Sequence, residues 1–401
     1  MAITSAEQMR RWSGPAILTY GFRPFFLFAS IWAAMAMAMW IAMLAGVFAL
    51  PSRFDPVSWH AHEFLFGYLG AVVAGFLLTA VPNWTGRLPV VGWRLGGLVA
   101  LWLAGRLAVA VSALIPAWAV IVIDLAFPLM LAGLILREIV AGKNWNNLIV
   151  LAMLGVFAIA NLIFHIEALR GDYAAQGYGL RLGLATGIMM VTVIGGRIVP
   201  SFTRNWLVKA GSEARPAAPM QRFDKLTILL TLAGLLLWVV QPVHLATGFA
   251  LLLVALVQGV RLFRWKGIRT GAEPLVWVLH AGYGLVPLGA ALLALGILFP
   301  QWIGPVATQH VWMAGAIGLM TLAVMTRATL GHSGQVLHAG PGTTALYVAL
   351  VAAVAARLAA GIWPGMAMLL YNLSGGLWIG AFLGFAVLYG PLLLRAKPKQ
   401  G

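Results

Sequence analysis

Long apolar stretches separated by short polar breaks run the length of the chain, and their spacing predicts the fold. Stretches of about twenty apolar residues, each able to cross a hydrocarbon core of about 30 Å, recur from Phe25 to Leu394. They predict twelve transmembrane helices, over residues 24–48, 59–81, 95–114, 117–137, 146–167, 180–200, 224–241, 243–263, 274–298, 305–327, 343–362 and 367–394. The expected architecture is an all-α integral membrane protein in which residues 1–401 form one polytopic membrane domain. The longest break, about residues 201–223, is polar and basic, carries Pro216 and Pro219, and reads as a loop.

Composition sharpens this picture. With 62% hydrophobic and 9% charged residues, the chain holds more apolar surface than a water-soluble domain of its size can hide. A formal charge of +16 would suit a nucleic-acid binder, but the charges are distributed for a membrane. With the N-terminus in the cytoplasm, one side collects Arg10, Arg11, Arg87, Arg94, Arg137, Lys143 and the basic residues from Arg204 to Lys225. The same side takes Arg261, Arg264, Lys266, Arg269, Arg395, Lys397 and Lys399, while the other keeps little beyond Arg53, Arg170 and Arg181. This asymmetry predicts cytoplasmic N- and C-termini and a basic surface facing anionic lipid. Residues 1–13 are polar and the first apolar stretch is long, which does not match a cleavable signal peptide. Cysteine is absent, so thiolate ligands, iron–sulfur clusters and c-type haem attachment are excluded; a redox group would be held by His, Met, Tyr or carboxylate.

Spans two, six and ten share a pattern. Val81-Pro82-Asn83-Trp84-Thr85 resembles Val199-Pro200-Ser201-Phe202-Thr203, and Arg197 to Thr203 in turn resembles Arg327 to Ser333. In this register His62 overlays Leu180 and then His310, which points to a three-fold repeat of four helices, with chance alignment of Gly-, Ala- and Pro-rich membrane helices as the alternative.

Histidine carries most of the candidate chemistry, because an ionisable or ligating group inside a membrane segment is costly. His62 and His310 each open an apolar stretch and are each followed by small residues, Gly67, Gly70, Ala71, Ala74 and Gly75 after the first, Ala314, Gly315 and Gly318 after the second. Two imidazoles at matching depths could grip one metal or macrocycle. The small strips allow either close helix packing or a flat group against the backbone. His60 and His62 diverge by about 200° around a helix, so one faces inward while the other meets the interface or a second site. His280 and His332 form a further candidate pair toward the other side, with a helix-capping role for His332 as the alternative. His310 and His332 would lie about 33 Å apart on a continuous helix and could not share one ion. His165 beside Glu167 reads as an interfacial ion pair, although it lies within reach of the His60/His62 cluster. His244 reads as structural and His338 as surface. Arg106 and Asp124, at similar depth in neighbouring spans, read as a structural ion pair. Arg197 and Arg327 align in the repeat and could contact a haem propionate or snorkel to lipid phosphate. Met35, Met39 and Met43 share a face, for which packing is the expected role.

These residues also carry a family resemblance. Gly21-Phe22-Arg23-Pro24-Phe25-Phe26, His60-Ala61-His62-Glu63, the run from Gly75 to Arg87 and Leu330-Gly331-His332-Ser333-Gly334 together resemble the NnrS family. The resemblance covers nearly the whole chain, and the run after Gly75 is its most specific part. It implies a bacterial inner-membrane protein of about twelve helices that carries haem and copper and is linked to nitric oxide metabolism and nitrosative stress. His60, His62, His280, His310 and His332 match recurrent histidine positions of that family. Ser333 and Gln335 stand where it usually has Thr and Arg, which weakens an anion-binding role there. A looser likeness links the arrangement to the central subunit of haem–copper oxidases and nitric oxide reductases, whose second and tenth helices hold a haem. Spans six and seven here carry no histidine, so a dinuclear centre of that design is not expected.

The expectation is therefore a b-type haem bound axially by His62 and His310. His60 would belong to a neighbouring copper or haem site, and His280 with His332 to a second metal site. Nitric oxide is the expected ligand and no nucleic acid partner is expected. A secondary transporter using Arg106 and Asp124 as a coupling pair is the rival class, and an assembly factor for another metalloenzyme is a third.

Overall fold

The computed structural model describes residues 12–85 and 89–395. Arg10, Arg11, Arg87, Lys397 and Lys399, which enter the charge argument above, lie outside the described residues. Among the described residues there is no strand, and twelve helices are long and apolar enough to cross a membrane. We number them α1 (Phe22–Leu44), α2 (Pro56–Pro82), α3 (Trp93–Ala110), α4 (Ala117–Ala141), α5 (Trp145–Leu169), α6 (Tyr178–Lys209), α7 (Arg222–Val240), α8 (Leu245–Phe263), α9 (Pro274–Leu298), α10 (Pro305–His332), α11 (Pro341–Ile362) and α12 (Pro364–Leu394).

Hydropathy alone understates two of these helices. α6 continues to Lys209 through the start of the basic stretch read as loop, and α10 continues to His332. In α6 an amphipathic end extends the helix beyond its apolar segment. Both also contain a π-helical turn, at Val191–Gly195 and Val311–Ile317, and α2 has one at Glu63–Leu69. The turns in α2 and α10 begin directly after His62 and His310. That in α6 begins at Val191 rather than just after Leu180, so it falls outside the register that aligns these three residues. π turns leave local backbone groups offset and recur at functional sites.

The chain divides into two compact units. The first holds Met1–Gly183, Ala328–Val336 and Phe382–Gly401, and the second holds Leu184–Arg327 and Leu337–Ala381. In the first, α2 is the central element. Asp55 caps it, accepting from the backbone N–H of Val57 (2.9 Å) and Ser58 (3.0 Å), with Pro56 supplying a preset first turn. Gly75 receives Phe25 and Phe26; a Cβ there would lie 2.8–2.9 Å from the Phe26 ring and 3.0 Å from Phe25 Cβ. Trp102 of α3 donates to the carbonyl of Gly67 (2.9 Å) within the π turn. In the second unit, Trp312 donates to the carbonyl of Val286 (2.9 Å) and packs edge-on against Trp238. Gly289 leaves room for the indole.

Candidate metal centre

The first unit encloses a polar cluster built by four helices. α2 supplies His62 and Glu63 at the junction between its α and π segments, α3 supplies Arg106, α4 supplies Asp124, and α5 supplies Asn161 and His165. All six side chains are buried, His62 and Glu63 completely. Asn161 and His165 are four apart and so project from one face of α5. Pro128 lies four residues beyond Asp124 and cannot donate to its carbonyl, which loosens α4 at this point.

Arg106 organises the carboxylates. One guanidinium nitrogen donates to both oxygens of Glu63, each at 2.8 Å, and the other donates to Asp124 Oδ1. Two glycines make this approach feasible. A Cβ at Gly67 would lie 2.5 Å from Arg106 Nη1 and 2.8 Å from Glu63 Oε2, and one at Gly105 would lie 2.8 Å from Asp124 Oδ1. Part of the small-residue strip of α2 thus makes room for an ion pair, and Gly75 serves aromatic packing.

Asp124 Oδ2 is the focus of the remaining groups. Asn161 Nδ2 donates to it (2.7 Å), and it lies 3.2 Å from His62 Nε2 and 3.1 Å from His165 Nε2. His62 Nε2 also faces Asn161 Oδ1 at 2.9 Å, while His62 Nδ1 lies 3.0 Å from Glu63 Oε1. The hydrogen-bonding neighbours of both His62 ring nitrogens described above are therefore all acceptor oxygens. A neutral imidazole has one N–H, so one nitrogen would direct a lone pair at oxygen. Two carboxylates against one guanidinium also leave the cluster one positive charge short. Burial makes such an imbalance expensive, and a proton or a metal ion can correct it. One ligand atom each from His62, Asp124 and His165 lies within 4.8 Å of the others, a spacing suited to a shared ion.

Beside the cluster is a small chamber lined by Phe66, Gly70, Phe127, Pro128, Leu131, Leu154 and Phe157, with Arg106, Asp124 and Asn161 as its polar wall. It has room for about one water-sized guest.

The other candidates have different surroundings. His60 lies away from this cluster on its helix, stacked on Trp40 with centroids 4.6 Å apart and packed on Phe64. His332 ends α10 and, within the first unit, packs against Phe22 (5.3 Å) and Tyr20 (6.5 Å). In the second unit, His310 Nδ1 lies 2.7 Å from the carbonyl of Val306, while buried His280 places Nε2 2.7 Å from Thr203 Oγ1. His280 Nδ1 has no hydrogen-bond partner among the described residues. Arg327 lies over the ring of Phe202 at 4.0 Å, and Arg197 is half-buried with its carbonyl accepting from Ser201. His244 caps α8 by accepting from the backbone of Ala246, and exposed His338 lies 2.8 Å from Glu273 Oε2.

Two sequence readings are corrected. His165 does not pair with Glu167; residues two apart on a helix diverge, and His165 turns to Asp124. Glu167 instead accepts from the backbone of Tyr178 (2.6 Å) and Gly179 (3.1 Å) at the start of α6. Arg261 is not a surface cation. It is fully buried in the second unit, donating to Asp224 (2.7 Å), the Thr192 carbonyl (3.0 Å) and the Tyr283 hydroxyl (2.9 Å). Its place near the end of an apolar helix gave it the same sequence signature as a snorkelling arginine.

Comparison with protein families places this geometry in context. The NnrS protein family model matches residues 16–397. The chain belongs to the NnrS family. A comparison with curated proteins gave no match. Family membership and the helical architecture make this an NnrS-type multi-pass membrane protein in contact with the lipid bilayer.

Proposed function

We propose that this NnrS-type protein resides in the bacterial inner membrane with both termini in the cytoplasm. It carries metal within the membrane and acts in nitric oxide metabolism or nitrosative-stress resistance, with nitric oxide as a ligand. The observation that carries this reading is the buried His62–Asp124–His165 group, in which Asp124 and the adjoining Glu63 set two carboxylates against the single guanidinium of Arg106. Such a cluster costs folding free energy, and bound metal offsets that cost.

The two cofactors of the family resemblance make different demands. The surroundings of His62 favour a single ion: the ring is enclosed, both nitrogens face nearby oxygens, and the adjoining chamber is far smaller than a macrocycle. Imidazole and carboxylate donors are suited to copper among other first-row ions. His310 suits a haem better. It is only partly buried, and the backbone carbonyl of Val306 at Nδ1 is the kind of contact that orients a ligating imidazole. A haem held there would supply a site for electron transfer or nitric oxide binding.

The test is a reduced-minus-oxidised optical spectrum of detergent-purified protein, combined with metal analysis and repeated with nitric oxide. Sharp b-type bands, copper in the preparation and a spectral response to nitric oxide are expected. A well-folded, cofactor-supplied preparation with neither haem nor metal would overturn the reading and favour a transporter built around Arg106 and Asp124.

A further inference from the structure

We propose that His62 Nε2, His165 Nε2 and Asp124 Oδ2 form a mononuclear, non-haem site for a divalent first-row transition ion, with a further coordination position toward the apolar chamber. This deepens the proposed function and rests on its reading of the cluster as metal-bearing.

The donor set comes first. Two imidazoles and one carboxylate are borderline-to-hard ligands; no thioether takes part, which disfavours a dedicated Cu(I) site. Both imidazole nitrogens lie 3.1–3.2 Å from the carboxylate oxygen. An ion bound at about 2.0–2.2 Å from each donor would fit among them with small side-chain adjustments.

The surrounding contacts are those of a supported metal site. Glu63 accepts from His62 Nδ1, fixing the tautomer that leaves Nε2 to bind metal. Asn161 and Arg106 hold Asp124, and Arg106 also holds Glu63. The acceptor-to-acceptor contacts at His62 Nε2 are relieved when a cation lies between them. Three ligands leave the shell of a four- or five-coordinate ion open.

The chamber touches this set at Asp124 and is lined on its other walls by buried apolar side chains. Arg106, whose Nε has no partner among the described residues, belongs to the polar wall. A single neutral guest about the size of water fits this lining; a hydrated anion or an organic substrate does not.

The experiment uses full-length protein in detergent, stripped with a chelator and reloaded with cobalt(II) as the probe. One cobalt per chain is expected, with visible ligand-field bands and an X-ray absorption signature of two imidazoles plus oxygen. His165→Ala should weaken cobalt binding by about 100-fold or more, beyond the range for losing an orienting contact. Tyr283→Phe, in the second unit, should bind as the wild type does. The wild-type absorption spectrum decides the matter if His165→Ala fails to fold. No cobalt bound by monodisperse wild type, a third imidazole in the shell, or undiminished binding in folded His165→Ala would each overturn the site. Haem bands and a nitric oxide response that persist in that event would leave the broader function standing. An intact cobalt site without either signal would sink the nitric oxide reading alone.

Discussion

In the first unit Arg106 faces two carboxylates, Glu63 and Asp124, with two imidazoles beside them. In the second, Arg261 faces the single carboxylate of Asp224, and its neighbours are neutral. The Tyr283 hydroxyl donates to Gln258 (2.7 Å), and Gln258 donates to Thr231 (2.8 Å), which donates to the carbonyl of Thr227. Both clusters bury a guanidinium among membrane helices. The second is balanced in charge, and from Tyr283 through Gln258 and Thr231 each donor meets an acceptor, with Arg261 Nη2 lacking a partner among the described residues. With its imidazoles neutral and no ion bound, the first has an excess negative charge and acceptor facing acceptor. A buried arginine–aspartate pair is therefore weak evidence of function by itself. What marks a candidate site is the mismatch that remains after the pairing.

Breaking each pair should expose this difference most strongly. Arg106→Met leaves two buried carboxylates uncompensated and should destabilise the fold by at least about 3–5 kcal/mol, as for a broken buried pair. Arg261→Met leaves one and should fall in that same range of about 3–5 kcal/mol. Removing the partner as well separates them. Arg261→Met/Asp224→Leu should recover most of the loss, whereas Arg106→Met/Asp124→Leu should not, because Glu63 remains. Thermal unfolding in detergent measures all four, and equal recovery in the two double variants would show that Glu63 carries no uncompensated charge.

How much of this was legible in the sequence follows from the range of the forces involved. The twelve spans were legible because membrane crossing is written in contiguous apolar runs, and α12 was read at 367–394. The ends of α6 and α10 were not, because their last turns are polar and need neighbouring structure to remain helical. At the candidate site, His62 and Arg106 with Asp124 stood out as costly groups in apolar helices. Asn161 and the role of His165 were missed, although their four-residue spacing on α5 was a usable signal. The π turn after His62 changes which side chains share a face, and an ideal 3.6-residue period cannot show that. Arg261 was counted only among the basic residues of one side, because its burial shows only once Asp224 is placed beside it.

A smaller effect tests the space around the first cluster. Gly67→Ala puts a methyl group 2.5 Å from Arg106 Nη1, and Gly105→Ala puts one 2.8 Å from Asp124 Oδ1. Each should cost about 1–3 kcal/mol, since neither ion-paired group can withdraw freely. If the cluster binds metal, both should also reduce metal occupancy. Gly97, also on α3, has no heavy atom within 4 Å of where its Cβ would stand, so Gly97→Ala is the matched control with little expected change. Equal unfolding midpoints for all three variants would mean that the guanidinium is not confined as described.

The smallest expected effect comes from Tyr283→Phe, which probes whether the second cluster is structural. The hydroxyl joins Arg261 to Gln258, and its loss should cost about 1–2 kcal/mol through two weakened hydrogen bonds in a buried setting. Charge balance at Arg261 and Asp224 is untouched, so the variant should remain folded and keep the metal content of the wild type. His165→Ala should give the converse result, with lost metal outweighing the loss of hydrogen bonding. Measuring metal content and unfolding midpoint on the same preparations separates the cases. If Tyr283→Phe instead lost metal while keeping its fold, chemistry would have to be assigned to the second unit, and charge imbalance would cease to distinguish the two clusters.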